Sequence, residues 1–385
     1  DYDYYFFQAV QEAEELGKHL VVLKSRRKGY EQPYSEPVLT PTGFVPMGSL
    51  KVGDMVMNPN GNPVSIGDIV EQGVTEIYEV TLQDGRTVRC GENHLWATIR
   101  NGKKFYIMRT KDYMKRKLKQ GSIGKEHYPY KLPEINPLNF NSTEVPIDPY
   151  VLGVLLGDGN ICGDQVRFST ADKFILDELT NRLKDYSIKA SSKYLYCITS
   201  TNGVNLLNRE LKSLNLKVKA NKKFIPSIYK YASIQDRMEL VRGLMDTDGS
   251  ISNGACSFVS TSEQLVDDLS EVLRGLGIRC KKSKEIPGRN GVGFNNGSIS
   301  NTLPHWELII TTQEDIFKLP RKLEKIRKDR SYNYNGIGIA SIRATGEFER
   351  QRCLCIDNEN HLYITKDYIP THNSYKCGAM LCRNF

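Results

Sequence analysis

The alternation of apolar and polar positions changes character along the chain. Residues 6–17 (Phe-Phe-Gln-Ala-Val-Gln-Glu-Ala-Glu-Glu-Leu-Gly) carry apolar side chains at helical intervals and end on Gly17, which predicts a helix. His19 to Leu23 predicts a short strand, and Lys24-Ser-Arg-Arg-Lys-Gly-Tyr30 then breaks off before a fold is complete. From Val38 the pattern becomes short strands between turn signals: Val38-Leu39, the Pro41-Thr-Gly43 turn, Gly53-Asp54, Asn58-Pro-Asn-Gly61, Ile77 to Leu82, Asp84-Gly85, and Thr87 to Cys90. From about 149 to 330 helical and strand periods alternate in a Lys- and Arg-rich background. After Asn335-Gly336 the β pattern returns through Cys353 to Ile364. A β domain divided by an α/β insertion is the simplest account.

Inside the insertion Val151-Leu-Gly-Val-Leu-Leu-Gly-Asp-Gly159 recurs as Val241-Arg-Gly-Leu-Met-Asp-Thr-Asp-Gly249, so the insertion reads as two pseudo-equivalent halves. Small residues stand four apart in each repeat, Gly153 and Gly157 in the first and Gly243 and Thr247 in the second, and so share one helix face. Two such faces let helix backbones approach closely. Each helix ends in an Asp followed by Gly, a pair suited to a C-terminal cap. Asp158 and Asp248 are therefore expected side by side, where like charges repel unless a cation joins them. Mg²⁺ bound by carboxylates, water and phosphate oxygens does this.

The doubled motif resembles that of the LAGLIDADG homing endonucleases over roughly residues 145–330. The resemblance implies that Asp158 and Asp248 bind the divalent metals that hydrolyse phosphodiesters on both strands of double-stranded DNA. Asp246, at the position of Leu156 in the first motif, is a weaker candidate. Lys222 and Lys223, before Phe-Ile-Pro226, resemble the family's basic residue at the metal-site water, and Lys318 and Lys322 flank a similar Leu-Pro pair. All four read equally well as solvated or phosphate-contacting lysines. Curved sheets would carry Lys, Arg and polar side chains into the major groove, with phosphate contacts supplying most of the affinity.

The returning β segment ends Tyr368-Ile-Pro-Thr-His-Asn-Ser374. An Asn side-chain amide can attack its own carbonyl and cut the chain when a neighbouring His polarises the peptide bond, and the next residue must then offer a hydroxyl or thiol. Upstream stand Cys353-Leu-Cys-Ile-Asp-Asn-Glu-Asn-His361 and, near the start of the β region, Cys90-Gly-Glu-Asn-His94-Leu-Trp96. Together these resemble the blocks of an intein, a self-splicing protein segment. Counting back from Val38-Leu39-Thr40 by that family's offset makes Glu31 the first intein residue, and Glu31 has no nucleophile. Trp96, Cys353 and Thr371 match instead the class 3 variant, in which an internal cysteine attacks the upstream bond. The resemblance implies Cys353 as nucleophile, aided by His94, Ser374 as acyl acceptor, and Asn373 as the releasing residue assisted by His372 and His361. Cys355, on the same strand face, and Ser35, as a conventional first residue, are rivals. Gly91 stands where the family usually has Thr.

The predicted fold is thus a mainly β, horseshoe-like Hint (hedgehog/intein) domain over 31–140 and 335–373, split by an α/β LAGLIDADG domain over 141–334. Joining Tyr30 to Ser374 gives a loop resembling the phosphate-binding loop of phage terminase large subunits, with Tyr30 where Lys is expected, so residues 1–30 and 374–385 read as host fragments from a terminase or another P-loop ATPase. Competing readings are a DNA-binding remnant without cleavage, a hedgehog-type autoprocessing domain, and an ATPase with an inert insertion.

Bulk properties narrow the picture slightly. With 39% hydrophobic and 25% charged residues, and no long apolar run, a membrane protein is not expected. The N-terminal residues lack a signal-peptide pattern, so a cytoplasmic monomer is the expectation. Nine scattered cysteines without a Cys-x-x-Cys pair predict reduced thiols and no structural metal. A net charge of +8 is compatible with a polyanionic partner without requiring one.

Overall fold

A computed structural model describes Glu15 and residues 31–100, 104–122, 125–141, 144–201, 203, 205–293, 299–328, 336–356 and 361–372. The helix and strand expected before Tyr30, and the predicted site residues Asn373 and Ser374, lie outside the described residues. Before the insertion the elements are β1 Gln32–Pro33, β2 Pro37–Thr40, β3 Gly43–Pro46, β4 Met55–Met57, β5 Pro63–Leu82, β6 Thr87–Cys90, β7 Leu95–Arg100, β8 Lys104–Arg109, α1 Thr110–Met114 and β9 Lys131–Leu132. Then come α2 Pro149–Asp158, β10 Gly159–Asn160, β11 Val166–Ser169, α3 Lys173–Arg182, β12 Tyr186–Ala190, β13 Leu195–Ser200, α4 Leu206–Ser213 and α5 Ser227–Lys230. The pattern repeats with α6 Ile234–Thr247, β14 Gly249–Ser252, β15 Ala255–Ser260, α7 Glu263–Gly275, β16 Arg279–Lys282, the β17 Val292–Gly293 and β18 Ile299–Ser300 ribbon, β19 Trp306–Thr311 and α8 Pro320–Leu323. The chain closes with β20 Ile337–Ile356, β21 Leu362–Thr365 and β22 Ile369–His372.

The β region is knitted across the insertion. β5 and β20 each run for 20 residues and pair antiparallel, so residues on either side of the insertion share one sheet. The sequence pattern predicted only Ile77 to Leu82 of β5. Its remainder escaped because much of the ribbon is solvated on both faces, with Val74 and Phe348 among its exposed apolar residues. Along β20 the register slips at Gln351/Arg352 and again at Cys355/Ile356, which isolates Arg352 to Cys355 between irregularities. Bulges of this kind re-aim side chains. A second sheet, in the order β22-β21-β2-β3, brings the last described residues into one sheet with the first full strand, one strand apart.

The insertion has one apolar core of its own, from Ile147 to Ile326, and its halves repeat helix and four-stranded sheet: β10-β11-β13-β12 and β14-β15-β19-β16. α2 and α6 cross at the glycines that the repeat singled out. A Cβ on Gly153 would stand 2.5 Å from the Leu240 carbonyl oxygen, and one on Gly243 would stand 2.3 Å from that of Tyr150. The expected glycine cap is not what ends these helices. Gly159 is extended (φ −80, ψ 139) and opens β10; the carbonyls at both helix ends are instead taken by lysines, described below. No helix among the described residues is long and apolar enough to cross a membrane.

Candidate splicing and metal centres

The β region gathers the predicted splicing residues about His94. β1 pairs with β20 as Gln32↔Arg352 and Pro33↔Gln351, and the next step of that antiparallel register sets Glu31 opposite Cys353. Both are buried. Tyr363 closes over the pair of strands, its hydroxyl donating to Gln32 Oε1 at 2.6 Å, and the Cys353 thiol faces the Leu354 carbonyl at 3.2 Å. Cys355, the rival on the same face, is buried further along β20. Ser35, the other rival, sits on the surface with its hydroxyl donating to Glu349 at 2.6 Å and receiving Arg89 at 2.6 Å.

His94 lies at the turn between β6 and β7, fixed because Gly91 accepts from its N–H at 3.2 Å and Thr110 N–H donates to its carbonyl at 2.8 Å. Its Nε2 meets the Thr371 hydroxyl of β22, while the Glu31 main chain lies near the ring and raises its proton affinity without a hydrogen bond to the buried Nδ1. One imidazole therefore touches elements that lead to both predicted junctions. Burial, with His372 nearby, drives its pKa down to about 3, so the ring is neutral at physiological pH and able to shuttle a proton between two neighbours. Trp96 stacks edge-on against it with centroids 4.8 Å apart. The Trp96 indole N–H donates to Thr110 Oγ1 at 3.1 Å, and that hydroxyl also reaches the His94 carbonyl at 3.2 Å. Trp96 is thus a support for the ring, and Thr110, which no sequence motif marks, is what it braces against.

β22 pairs with β21 as Leu362↔His372 and Tyr363↔Thr371, which buries Thr371 and His372 and orients them at the end of the described chain. His361 adopts a left-handed backbone (φ 51), and its ring lies 6.1 Å from that of His372. The two histidines predicted to assist release are therefore neighbours.

Gly91 lacks the predicted family side chain for a visible reason. Its N–H donates to the Glu31 carbonyl at 2.8 Å, and a Cβ there would fall 2.2 Å from Glu31 Oε2 and 2.7 Å from Gln351 Oε1. The Glu31 side chain fills the space that a larger residue would take.

In the insertion, Asp158 ends α2 and Asp248 follows α6 at matching places. Burial raises both carboxyls. Asp248 reaches about 6, with Asp158 beside it adding to the rise while Lys223 and Lys322 oppose it. Lys223 Nζ donates to the carbonyls of Leu155, Gly157 and Gly159 at 3.0, 2.9 and 2.8 Å; Lys322 Nζ does the same to Met245, Asp246, Thr247 and Gly249 at 2.9, 2.7, 3.2 and 2.7 Å. Each lysine cancels the negative end of a helix while standing near the acids. Burial lowers both to about 8. The symmetry assigns Lys322 as the partner of Lys223; Lys318 instead joins Glu239 at 3.0 Å, and among the described residues no such caging bonds hold Lys222. Asp246 is a structural anchor: it accepts from the N–H groups of Lys318 and Leu319 at 3.0 Å each and from the Tyr150 hydroxyl at 2.8 Å. Among the described residues no three His, Cys, Asp or Glu side chains gather as a metal cage, so a cation here would draw its remaining ligands from water and substrate.

Residues 236–323 match the family model described as a LAGLIDADG-like domain, so the second half of the insertion carries that domain. Over 365 aligned residues the chain is 28% identical to the replicative DNA helicase DnaB of Mycobacterium intracellulare, covering 88% of this chain. It spans 57% of that relative's length. Among solved structures it is similar to an MchDnaB-1 intein variant at 12% identity (89% of this chain and 98% of that one, TM-score 0.28). It is also similar to I-DmoI in complex with DNA and Ca at 13% identity (46% and 95%, TM-score 0.30).

Proposed function

We propose that the chain is a self-splicing precursor of the class 3 kind that also carries a homing endonuclease. The observation that carries the splicing reading is the β1–β20 register, which aligns Glu31 with Cys353 while His94 spans from the Glu31 main chain to Thr371. The Cys353 sulfur attacks the carbonyl carbon of Tyr30; the bond to the Glu31 nitrogen breaks, and that amine leaves with a proton delivered through His94. Ser374 Oγ then attacks the thioester, taking the acyl group and returning the thiol. The Asn373 side-chain nitrogen attacks its own carbonyl, freeing the Ser374 amine, and an O-to-N shift leaves an ordinary peptide. His372 and His361 assist the Asn373 step.

Mass spectrometry of the expressed precursor tests this. Cys353→Ala is expected to abolish the branched intermediate and ligation, and Asn373→Ala to let the branch accumulate. Splicing that survives Cys353→Ala and fails in Ser35→Ala would return the first step to Ser35.

For the insertion, the carrying observation is the pair of acids at touching helix ends, each half with its own caging lysine. Two adjacent carboxyls, Asp158 at the surface and Asp248 half-buried, with the pKa of Asp248 raised by desolvation and by Asp158 beside it, suit a divalent cation, Mg²⁺ being the one proposed. When bound, the cation supplies Lewis-acid activation of a phosphodiester of double-stranded DNA. Plasmid carrying the intein-free host junction should be cut with Mg²⁺, and Asp248→Asn should abolish cutting. An uncut plasmid with the folded wild-type chain would leave only a DNA-binding remnant. The host fragments are proposed to come from a nucleotide-hydrolysing motor; similarity to a replicative helicase favours this over a terminase.

A further inference from the structure

Glu31 and Gln351 present a problem of hydrogen bonding that the splicing mechanism leaves unused. Both are buried, at 5% and 0% exposure. Among the described residues Glu31 Oε2 and Gln351 Oε1 each lack a partner, yet both point into the same hole, within 2.2 and 2.7 Å of where a Gly91 Cβ would be. Rotating the Gln351 amide does not relieve this. Its Nε2 already donates to the carbonyls of Thr75 and Glu76 at 3.3 and 3.2 Å, and the flip would set oxygen against oxygen there. Two buried acceptors opening into one hole repel, and an unsatisfied buried oxygen is destabilising. One proton satisfies both.

We propose that Glu31 is held as a neutral carboxylic acid whose proton lies between its Oε2 and Gln351 Oε1, and that this bond makes Glu31 the positioning residue of the upstream junction. The proposal rests on the reading of Glu31 as first residue of the excised segment. Gln351 stands two residues before Cys353 on β20, across the register slip at Gln351/Arg352, so the bond ties the leaving nitrogen's residue to the strand that carries the nucleophile. The Gly91 N–H to Glu31 carbonyl bond supplies the second tether, and His94 meets the main chain between them. The groups that act on the carboxyl are Asn93, Glu92 and Lys111, with His94 at the Glu31 main chain and Cys90 and Glu36 close by; burial favours the neutral acid, Glu92 adds to this, and Asn93 and Lys111 oppose it. Ionisation would place a charge against the Gln351 oxygen and drive the side chain out of the hole. Upstream attack is then supported at low pH and lost as pH rises through the folded-state pKa of Glu31.

Two readouts test this on the full chain. In the precursor locked by Cys353→Ala and Asn373→Ala, with ¹³C-labelled glutamate, infrared spectra should show a protonated carboxyl band at neutral pH that Glu31→Gln removes. This readout does not depend on splicing. In the active chain, Glu31→Gln, whose amide can donate to Gln351 Oε1, should keep upstream cleavage and should not share the wild-type decline at high pH, about tenfold per pH unit. Gly91→Thr should block cleavage, and adding Glu31→Ala should restore it. A carboxylate band in the locked precursor, or coincident pH profiles for wild type and Glu31→Gln, would overturn the proposal. An intact acid band in a chain that never splices would instead sink the splicing reading and leave the shared proton standing.

Discussion

His94 is the residue on which the arrangement of both proposed junctions converges, and its burial has a measurable cost. Its folded pKa lies near 3 while the unfolded imidazole titrates near 6.5, so the unfolded chain binds the extra proton. Stability should therefore be full above about pH 6.5 and fall as pH drops toward 3, and His94→Gln should flatten that part of the curve in chemical denaturation monitored against pH. Of this candidate site, His94, Trp96, Thr371 and Cys353 were marked in the sequence because their residue types are unusual at fixed distances from one another. Thr110 and Gln351 were not. Each is an ordinary polar residue whose importance arises only when α1 is folded back beneath β7, or when β1 is laid along β20, and no local pattern records those pairings.

The helices α2 and α6 show the opposite case, in which an element's role is written in its spacing. The Gly-x-x-x-small pattern predicted a close crossing, and the crossing brings Gly243 within reach of the Tyr150 backbone, which has little freedom to move away. Gly243→Ala should therefore cost about 1–3 kcal/mol in denaturant unfolding of the insertion and abolish metal-dependent cutting, while splicing proceeds. What the pattern could not reveal is how the helices end. The Asp-Gly pair read as a cap, whereas Gly159 and Gly249 are needed for room: a Cβ on either would lie 2.3 or 2.4 Å from a carbonyl oxygen one turn earlier. Capping falls to Lys223 and Lys322, which lie some seventy residues away in sequence, on the order of half a domain length, and are invisible to local rules. β5 and β20 were only partly legible for a related reason. Exposed faces and register slips erase the alternation that marks a strand with one buried side.

At the scale of the molecule the insertion is seated on the β region through charged contacts. Arg274 of α7 meets Asp367 at 2.9 Å, and buried Arg237 lies 4.8 Å over the Phe140 ring; within the β region Arg86 also donates to the Asp367 carbonyl at 2.9 Å. Asp367 and Tyr368 both adopt left-handed backbones (φ 57 and 60) immediately before β22, the strand that delivers Thr371 and His372. A helix of the insertion thus helps hold a turn with left-handed backbone at Asp367 and Tyr368, just before the strand that leads to the proposed downstream junction. Arg274→Ala should slow Asn373 cyclisation several-fold, read as accumulation of branched intermediate by gel mobility, with cutting by the insertion unchanged. The β5–β20 ribbon has a different implication. Its strands come from opposite sides of the insertion, so a break in the covalent chain anywhere between them leaves two pieces, each ending in a long edge shaped for the other. Backbone pairing would then act as an address, and the pieces, made separately, would be able to find each other and rebuild the centre in trans.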